Sequence, residues 1–372
     1  MPRSPDIVVV GAGIVGCAVA HELARRGASV QVVDERAVGM GATQASAGIL
    51  APYIEGSEPG PFLDLTVRSL NLFDAFIARV EADSGISIPY QRTGTLQAAV
   101  DDAEMRKLRD IATRLEAQGL AFDLLDAQRV RAEEPHLSDD VVGGLVVPVH
   151  GFVTAGDLVR ALAGAARRHG AKLVEGSRVR RIVPTNGDFV VETDRGSLAV
   201  SAVVLAAGSW SAQVEIAGLP ARAPVGPIRG QLLRLAWKGP VLRRVTWSDR
   251  CYLVPWDDGT LLVGATVEEA GFDEGTTVAG VRDLIEAACE IVPHAWTAGF
   301  LGAQAGLRPA SADLLPIIGP SRVFPKLMYA TAHYRNGILL APLTAALVAD
   351  VMLDNRIDPA LAAVSPQRFG AL

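Results

Sequence analysis

A glycine-spaced loop between an apolar strand and an amphipathic helix constrains this chain more than any other feature. Residues 7–10 (Ile-Val-Val-Val) run directly into Gly11-Ala-Gly-Ile-Val-Gly16. A short apolar run bounded by glycine is what a parallel strand buried on both faces requires. Beyond it, Ile14, Val15, Ala18, Val19 and Leu23 fall on one helical face, and Gly27 ends the helix. A second apolar run, 29–33, stops at Asp34. This is a βαβ unit. Gly11 permits the tight turn, Gly13 lets the backbone approach a pyrophosphate, and Gly16 lets helix and strand pack closely. Phosphates then sit at the positive end of the helix, and Asp34 accepts the ribose hydroxyl hydrogens. A dinucleotide site is expected, and the acidic ribose partner argues against a 2′-phosphate.

At 372 residues two domains are expected, and a hydrophobic content of 49% suits a tightly packed α/β protein. The net charge of −6 gives a nucleic-acid role little electrostatic support, and Arg178-Val-Arg-Arg181 is too short to change that. Cys17, Cys251 and Cys289 share no metal-type spacing, so neither a metal site nor a disulfide framework is expected, and a reducing cytoplasm is the default. Residues 1–5 are too short for a signal peptide. The apolar stretch 338–353 contains Pro342 and Asp350 and reads as a buried helix of a soluble protein.

Helices are expected over 62–80, 102–118, 156–169 and 278–291. Strands are expected over 178–184 and 189–193, joined at Thr185-Asn-Gly-Asp188, and over the doubly buried run 202–206. Stretches 227–235, 245–255 and 261–266 read as an antiparallel sheet with a turn at Asp257-Asp-Gly259. The fold class is α/β, a Rossmann-like dinucleotide domain with an interleaved α+β domain. The expected division is 1–84, 145–218 and 300–372 for the first, and 85–144 and 219–299 for the second.

Spacing alone leaves NAD and FAD open. Flavin is favoured by two later segments that resemble further cofactor contacts, Ala206-Ala-Gly-Ser-Trp210 after a buried strand and Arg335-Asn-Gly-Ile-Leu339 at a helix start. Arg308, in Gly306-Leu-Arg-Pro309, and Arg335 lie between apolar runs, an unusual place for surface salt-bridge arginines. A guanidinium fork suits a carboxylate, so a small amino-acid ligand is expected there.

The chain resembles the D-amino-acid oxidase family of flavoproteins, and among them the bacterial glycine oxidases associated with thiamine biosynthesis. The resemblance rests on the glycine motif, Gly41-Ala-Thr-Gln-Ala-Ser-Ala-Gly-Ile49, Val203-Val-Leu-Ala-Ala-Gly-Ser-Trp210, Cys251-Tyr-Leu-Val-Pro255, Leu262-Val-Gly-Ala-Thr266, Ala305-Gly-Leu-Arg-Pro309 and His333-Tyr-Arg-Asn-Gly-Ile-Leu-Leu-Ala-Pro342. It implies FAD as cofactor and oxidative deamination of glycine, sarcosine or small D-amino acids by hydride transfer to the flavin, with dioxygen as acceptor and peroxide as product. It implies cofactor contacts from Gly11, Gly13, Ile14, Val15, Gly16, Asp34, Glu35, Arg36, Thr43, Ala45, Ser46, Ala47, Gly48, Ile49, Val179, Ala207, Gly208, Trp210, Arg308, His333, Arg335, Asn336, Gly337, Ile338 and Leu339. Arg308 is the implied carboxylate anchor, assisted by Tyr252 and by Arg335. Ala51, Ile54, Arg250 and Val267 are implied pocket residues at which the chain departs from the glycine-oxidase pattern, and Gln304 replaces an aromatic residue. No side-chain base is implied. A dehydrogenase of the same fold and a flavin-bearing subunit of a larger complex remain open, and a homo-oligomer is expected.

Other polar features read as structural. His333 is expected to be held by a backbone hydrogen bond, Glu133-Glu134 to be a solvated helix end, and Cys251 to be a free buried thiol facing away from the substrate. The remaining histidines form no metal-ligand set by spacing.

Overall fold

Residues 6–55, 59–239 and 241–372 are described in the computed structural model; residues 1–5, weighed above as a leader, lie outside it. Strand Ile7–Val10 sits inside a six-stranded sheet ordered Ile317–Pro320, Leu327–Thr331, Ala202–Leu205, Ile7–Val10, Val30–Val33 and Lys172–Val174. All neighbours run parallel except the first pair. Period-two alternation sends Ile7 and Val9 to one face and Val8 and Val10 to the other, and both faces are covered. Helices Ile14–Arg25, Pro61–Ser84, Ala155–Arg168 and Gly337–Asp354 pack on the first face. The second face meets a four-stranded sheet ordered Gly196–Val200, Phe189–Thr193, Val179–Pro184 and Glu215–Ile216.

Helix Gly337–Asp354 is long and apolar enough to cross a membrane, with a mean hydropathy of 1.7, but 61% of it is buried inside the protein. It packs on helices Ile14–Arg25 and Pro61–Ser84, as a core helix does.

An eight-stranded sheet runs Gly299–Ala310, Gly226–Ala236, Thr260–Gly264, Tyr252–Pro255, Val245–Trp247, Thr95–Ala99, Gly143–Val147 and Asp123–Asp126. Helix Val278–Ile291 covers one face through Leu284, Ala287 and Ala288. The other carries Leu232, Val245, Val254 and Leu262 against Ala47 and Phe152. A three-stranded sheet, Ile49–Leu50, Gly151–Val153 and Tyr90–Gln91, adds a further link.

Two expectations change. The stretch 245–255 is two strands, because the Ser248 hydroxyl accepts the N–H groups of Arg250 (3.2 Å) and Cys251 (3.1 Å) and closes a turn. Glu134 is not solvated. It is 1% exposed, and its carboxylate accepts the Arg243 N–H at 2.8 Å, so burial pushes its pKa above the ordinary carboxylate value.

His150 is fully buried between Thr95 and Tyr53. Its Nε2 accepts the Tyr53 N–H at 3.4 Å, so Nδ1 carries the proton and donates to Thr95 Oγ1 at 2.7 Å. Burial, with Arg92 adding to it, lowers its pKa from 6.5 to about 3. Below pH 6.5 the unfolded chain therefore takes up a proton that the folded chain refuses, and stability is lost as the pH falls from 6.5 toward 3. His333, also lowered to about 3, acts with the same sign. Thermal unfolding across this window should show a falling Tm whose slope is shallower in His150→Gln; identical slopes would contradict the assignment.

Candidate active site

The carboxyl ends of strands Ile7–Val10 and Val30–Val33 open into a cavity that extends to the sheet face bearing Tyr252 and Arg308. Its dinucleotide end is built on a backbone contact. Gly11 has φ +109°, and a Cβ there would overlap the Ala206 carbonyl oxygen, so no other residue lets the two turns meet. Gly16 does not line the cavity; a Cβ there would overlap the Gly11 carbonyl oxygen, which makes it a packing glycine. Gly13 and Gly208 do line it, and a Cβ on either meets no protein atom closer than the 3.6 Å from Gly13 to Thr43 Oγ1. Their missing side chains leave backbone facing open space.

Asp34 Oδ2 accepts the Ala12 N–H (2.6 Å) and Oδ1 the Arg36 N–H (2.8 Å), which fixes the carboxylate and leaves lone pairs for a ligand. Burial raises its pKa, and these two hydrogen bonds work against that rise. Thr43 Oγ1 accepts the Ile14 N–H at 3.0 Å and tethers the short helix Ala42–Ala45 to the first helix. The Arg36 guanidinium lies 4.4 Å from the Trp210 ring centroid and pairs with Glu274 at 2.8 Å. Ser209 Oγ donates to the Leu307 carbonyl at 2.8 Å, tying the second turn to the strand that carries Arg308.

At the other end, Arg308 Nη1 donates to the carbonyls of Thr266 (2.9 Å) and Arg229 (3.3 Å). Two glycines make room for the polar groups. A Cβ on Gly230 would overlap the Arg308 guanidinium, and one on Gly264 would overlap the Tyr252 ring. Gly264 pairs directly with Tyr252 across the ladder, and Gly230 lies diagonal to Arg308. Behind Arg308 is a polar network that the sequence did not reveal. Buried Arg229 holds Glu268 through Nη2 (2.6 Å) and Nε (3.2 Å), Gln231 Nε2 donates to Glu268 at 2.8 Å, and Thr266 Oγ1 accepts the Gln231 N–H at 2.8 Å. Burial raises the Glu268 pKa, but hydrogen bonds from Thr266, Arg229 and Gln231 bring it below the ordinary value.

The loop before helix Gly337–Asp354 completes the wall. Ala332 and Tyr334 adopt left-handed φ of 58° and 49°, and the Tyr334 N–H donates to the Pro309 carbonyl at 2.8 Å. Arg335 is exposed to the cavity, 5.6 Å from the Tyr334 ring centroid, with no carboxylate partner among the described residues. The helix N-terminus faces the same space through Gly337 and Ile338 and adds partial positive charge. His333 is bonded to the Thr344 hydroxyl at 3.0 Å, a side-chain partner where a backbone one was expected.

The cavity brings together Gly11, Gly13, Ile14, Val15, Asp34, Glu35, Arg36, Thr43, Ala45, Ser46, Ala47, Gly48, Ile49, Val179, Ala207, Gly208, Trp210, Arg250, Tyr252, Arg308, His333, Arg335, Gly337 and Ile338. Ala51, Ile54, Val267, Asn336 and Leu339 do not line it. Ala51 and Leu339 point into the core, Asn336 is the buried N-cap of the last helix, and Val267 is more than half exposed. Arg250 is paired with Glu290 on helix Val278–Ile291. Cys251 packs in the apolar cluster beneath that helix, and burial raises its thiol pKa to about 11. Gly41, Arg178, Gln213, Trp247, Asp249 and Tyr334 also line the cavity, and none carries a spacing signal in the sequence. Gly13→Val should fill the cradle without touching the core. Affinity for a dinucleotide cofactor is expected to fall by roughly 10- to 100-fold at unchanged far-ultraviolet circular dichroism; full cofactor content would contradict this reading of the cradle.

The model of the FAD-dependent oxidoreductase family (DAO) matches residues 6–351. The chain is 33% identical to the glycine oxidase of Geobacillus kaustophilus, over 95% of this chain and 94% of that protein. It is 35% identical to the bifunctional protein ThiO/ThiG of Synechocystis over 99% of its length, but spans only 55% of that relative. The crystal structure of the Geobacillus kaustophilus glycine oxidase superposes with a TM-score of 0.92, covering 97% of this chain and 98% of that one. With a family match over almost the whole sequence, the chain belongs to the FAD-dependent oxidoreductase family.

Proposed function

We propose that this protein is an FAD-dependent oxidase of glycine or a related small amine such as sarcosine or a small D-amino acid. The observation that carries the reading is the cluster at the end of the cavity, where Arg308, Tyr252 and Arg335 line one space continuous with the glycine cradle. The similarity to glycine oxidases supports the same substrate class. The residues present fit FAD: Gly13 and Gly208 offer bare backbone to the cofactor, Asp34 is held ready for a ribose, and the last helix presents its N-terminus. Gly11, Ile14, Val15, Glu35, Arg36, Thr43, Val179, Ala207 and Trp210, with residues 45–49, form the rest of the cradle in this reading.

Held in this cradle, FAD would supply a two-electron acceptor, with dioxygen as the final oxidant and peroxide as its product. The protein's own groups supply position and charge. Arg308, oriented by two carbonyls, takes the substrate carboxylate as a bidentate partner, and the Tyr252 hydroxyl adds a hydrogen bond. Arg335 places a second positive charge beside the same space. His333 lines the cavity but is buried against the Thr344 hydroxyl, and burial lowers its pKa to about 3, which makes it a poor base for the amine. In this reading no side chain acts as the base, and the substrate amine enters the reaction in its neutral form, selected by binding. The imine product leaves for hydrolysis in water.

Arg308→Ala should raise KM by about 30- to 1000-fold with flavin retained, the cost of a lost charge-assisted contact. Gly230→Ala, which forces the guanidinium aside without changing its charge, should raise KM by roughly tenfold. Steady-state kinetics with glycine and sarcosine tests both. Near-normal KM in Arg308→Ala would remove that residue from substrate binding and take the reading with it.

A further inference from the structure

Three helices bring a second set of chemically competent side chains together away from the cavity. His21 lies in helix Ile14–Arg25, Asp83 in the last turn of helix Pro61–Ser84, and His169 caps the end of helix Ala155–Arg168. None lines the cavity. His21 Nε2 lies 2.7 Å from Asp83 Oδ2, and His169 Nε2 lies 3.1 Å from the same oxygen. The three ligand atoms all fall within 4.8 Å of one another, and the two rings are 5.7 Å apart. Spread over nearly 150 residues, the three positions carry no metal-type spacing in the sequence.

We propose that His21, Asp83 and His169 form a binding site for one divalent transition-metal ion of the zinc class, with water completing a tetrahedral shell. Two imidazole nitrogens and one carboxylate oxygen are a donor set that a borderline-soft ion takes readily. Tetrahedral bonds of that ion place neighbouring ligand atoms roughly 3.3 Å apart. The two observed contacts need open by about 0.6 and 0.2 Å, and the two imidazole nitrogens, within 4.8 Å of each other, close toward the same spacing; His169 and Asp83 are partly exposed and can adjust. That same exposure admits the water.

The surroundings favour a cation. The helices of Asp83 and His169 both end here, and their C-termini carry partial negative charge. The nearby cations are already engaged: Arg25 and Arg79 with Glu22 at 2.8 and 3.7 Å, and Arg168 with the Asp83 carbonyl at 3.3 Å. A bound ion joins the dinucleotide helix to two of its neighbours, roughly 10 Å along that helix from the cradle. Its effect falls on stability and leaves the chemistry alone.

The test uses FAD-loaded protein freed of metal by chelation and titrated with zinc chloride by calorimetry near neutral pH. One equivalent per chain is expected, together with a rise in Tm that saturates at the same ratio. His169→Ala and Asp83→Asn should each weaken binding by at least about tenfold, with flavin content reporting that the variants are folded. Acidification to about pH 5.5 should weaken it as well, because protonated imidazoles cannot ligate. No stoichiometric binding, or binding of equal strength in both variants, would overturn the site and leave His21 and His169 as two donors sharing one carboxylate.

Discussion

Everything at the cradle depends on one backbone contact, the passage of Gly11 against the carbonyl of Ala206. The two turns come from segments almost two hundred residues apart. They meet only because strands Ile7–Val10 and Ala202–Leu205 are parallel neighbours and because Gly11 has no side chain and a positive φ. Once they meet, Gly13 and Gly208 face the same space and Asp34 reaches the Ala12 N–H from the neighbouring strand. The Ser209 bond to the Leu307 carbonyl then carries this arrangement to the second sheet. The dinucleotide turn and the arginine strand are thus mechanically one unit.

The opposite wall follows a related logic, in which absent side chains position present ones. Gly230 and Gly264 leave the volume that Arg308 and Tyr252 fill. Two carbonyls aim the guanidinium, and one of them belongs to Thr266, whose hydroxyl is held in the Arg229, Gln231 and Glu268 network. A buried ion pair of this kind contributes little net stability, because desolvation offsets the Coulomb attraction. Its worth lies in orientation. An arginine that binds a small carboxylate must be fixed before the ligand arrives, or the ligand's few contacts are consumed in ordering it.

Much of this was legible in the sequence where a local rule applied. The glycine spacing, the apolar run at 7–10 and Asp34 together read as a βαβ unit, and periodicity located the long helices to within a few residues. Short edge strands such as Asp123–Asp126 and Lys172–Val174 escaped, because three or four residues carry too little pattern. Ser248 broke a strand through a side-chain hydrogen bond that alternation does not register. Glu134 looked solvated because its burial comes from a distant partner, the Arg243 N–H. Gly230 and the His21, Asp83 and His169 cluster share that difficulty, since their meaning arises only from what tertiary packing brings beside them. The Gly306-Leu-Arg-Pro309 motif marks Arg308 in the sequence, whereas the network behind it arises only from the fold.

In the proposed function, a small amine seated by Arg308 reduces a flavin bound in the cradle. The most direct measurement is anaerobic: purified FAD-loaded protein is mixed in turn with glycine, sarcosine, D-alanine and D-proline while flavin absorbance is followed, and air is then admitted with a peroxide assay. The proposed function requires bleaching by at least one of these amines, recovery in air and stoichiometric peroxide. Fully loaded protein that none of them bleaches would contradict it.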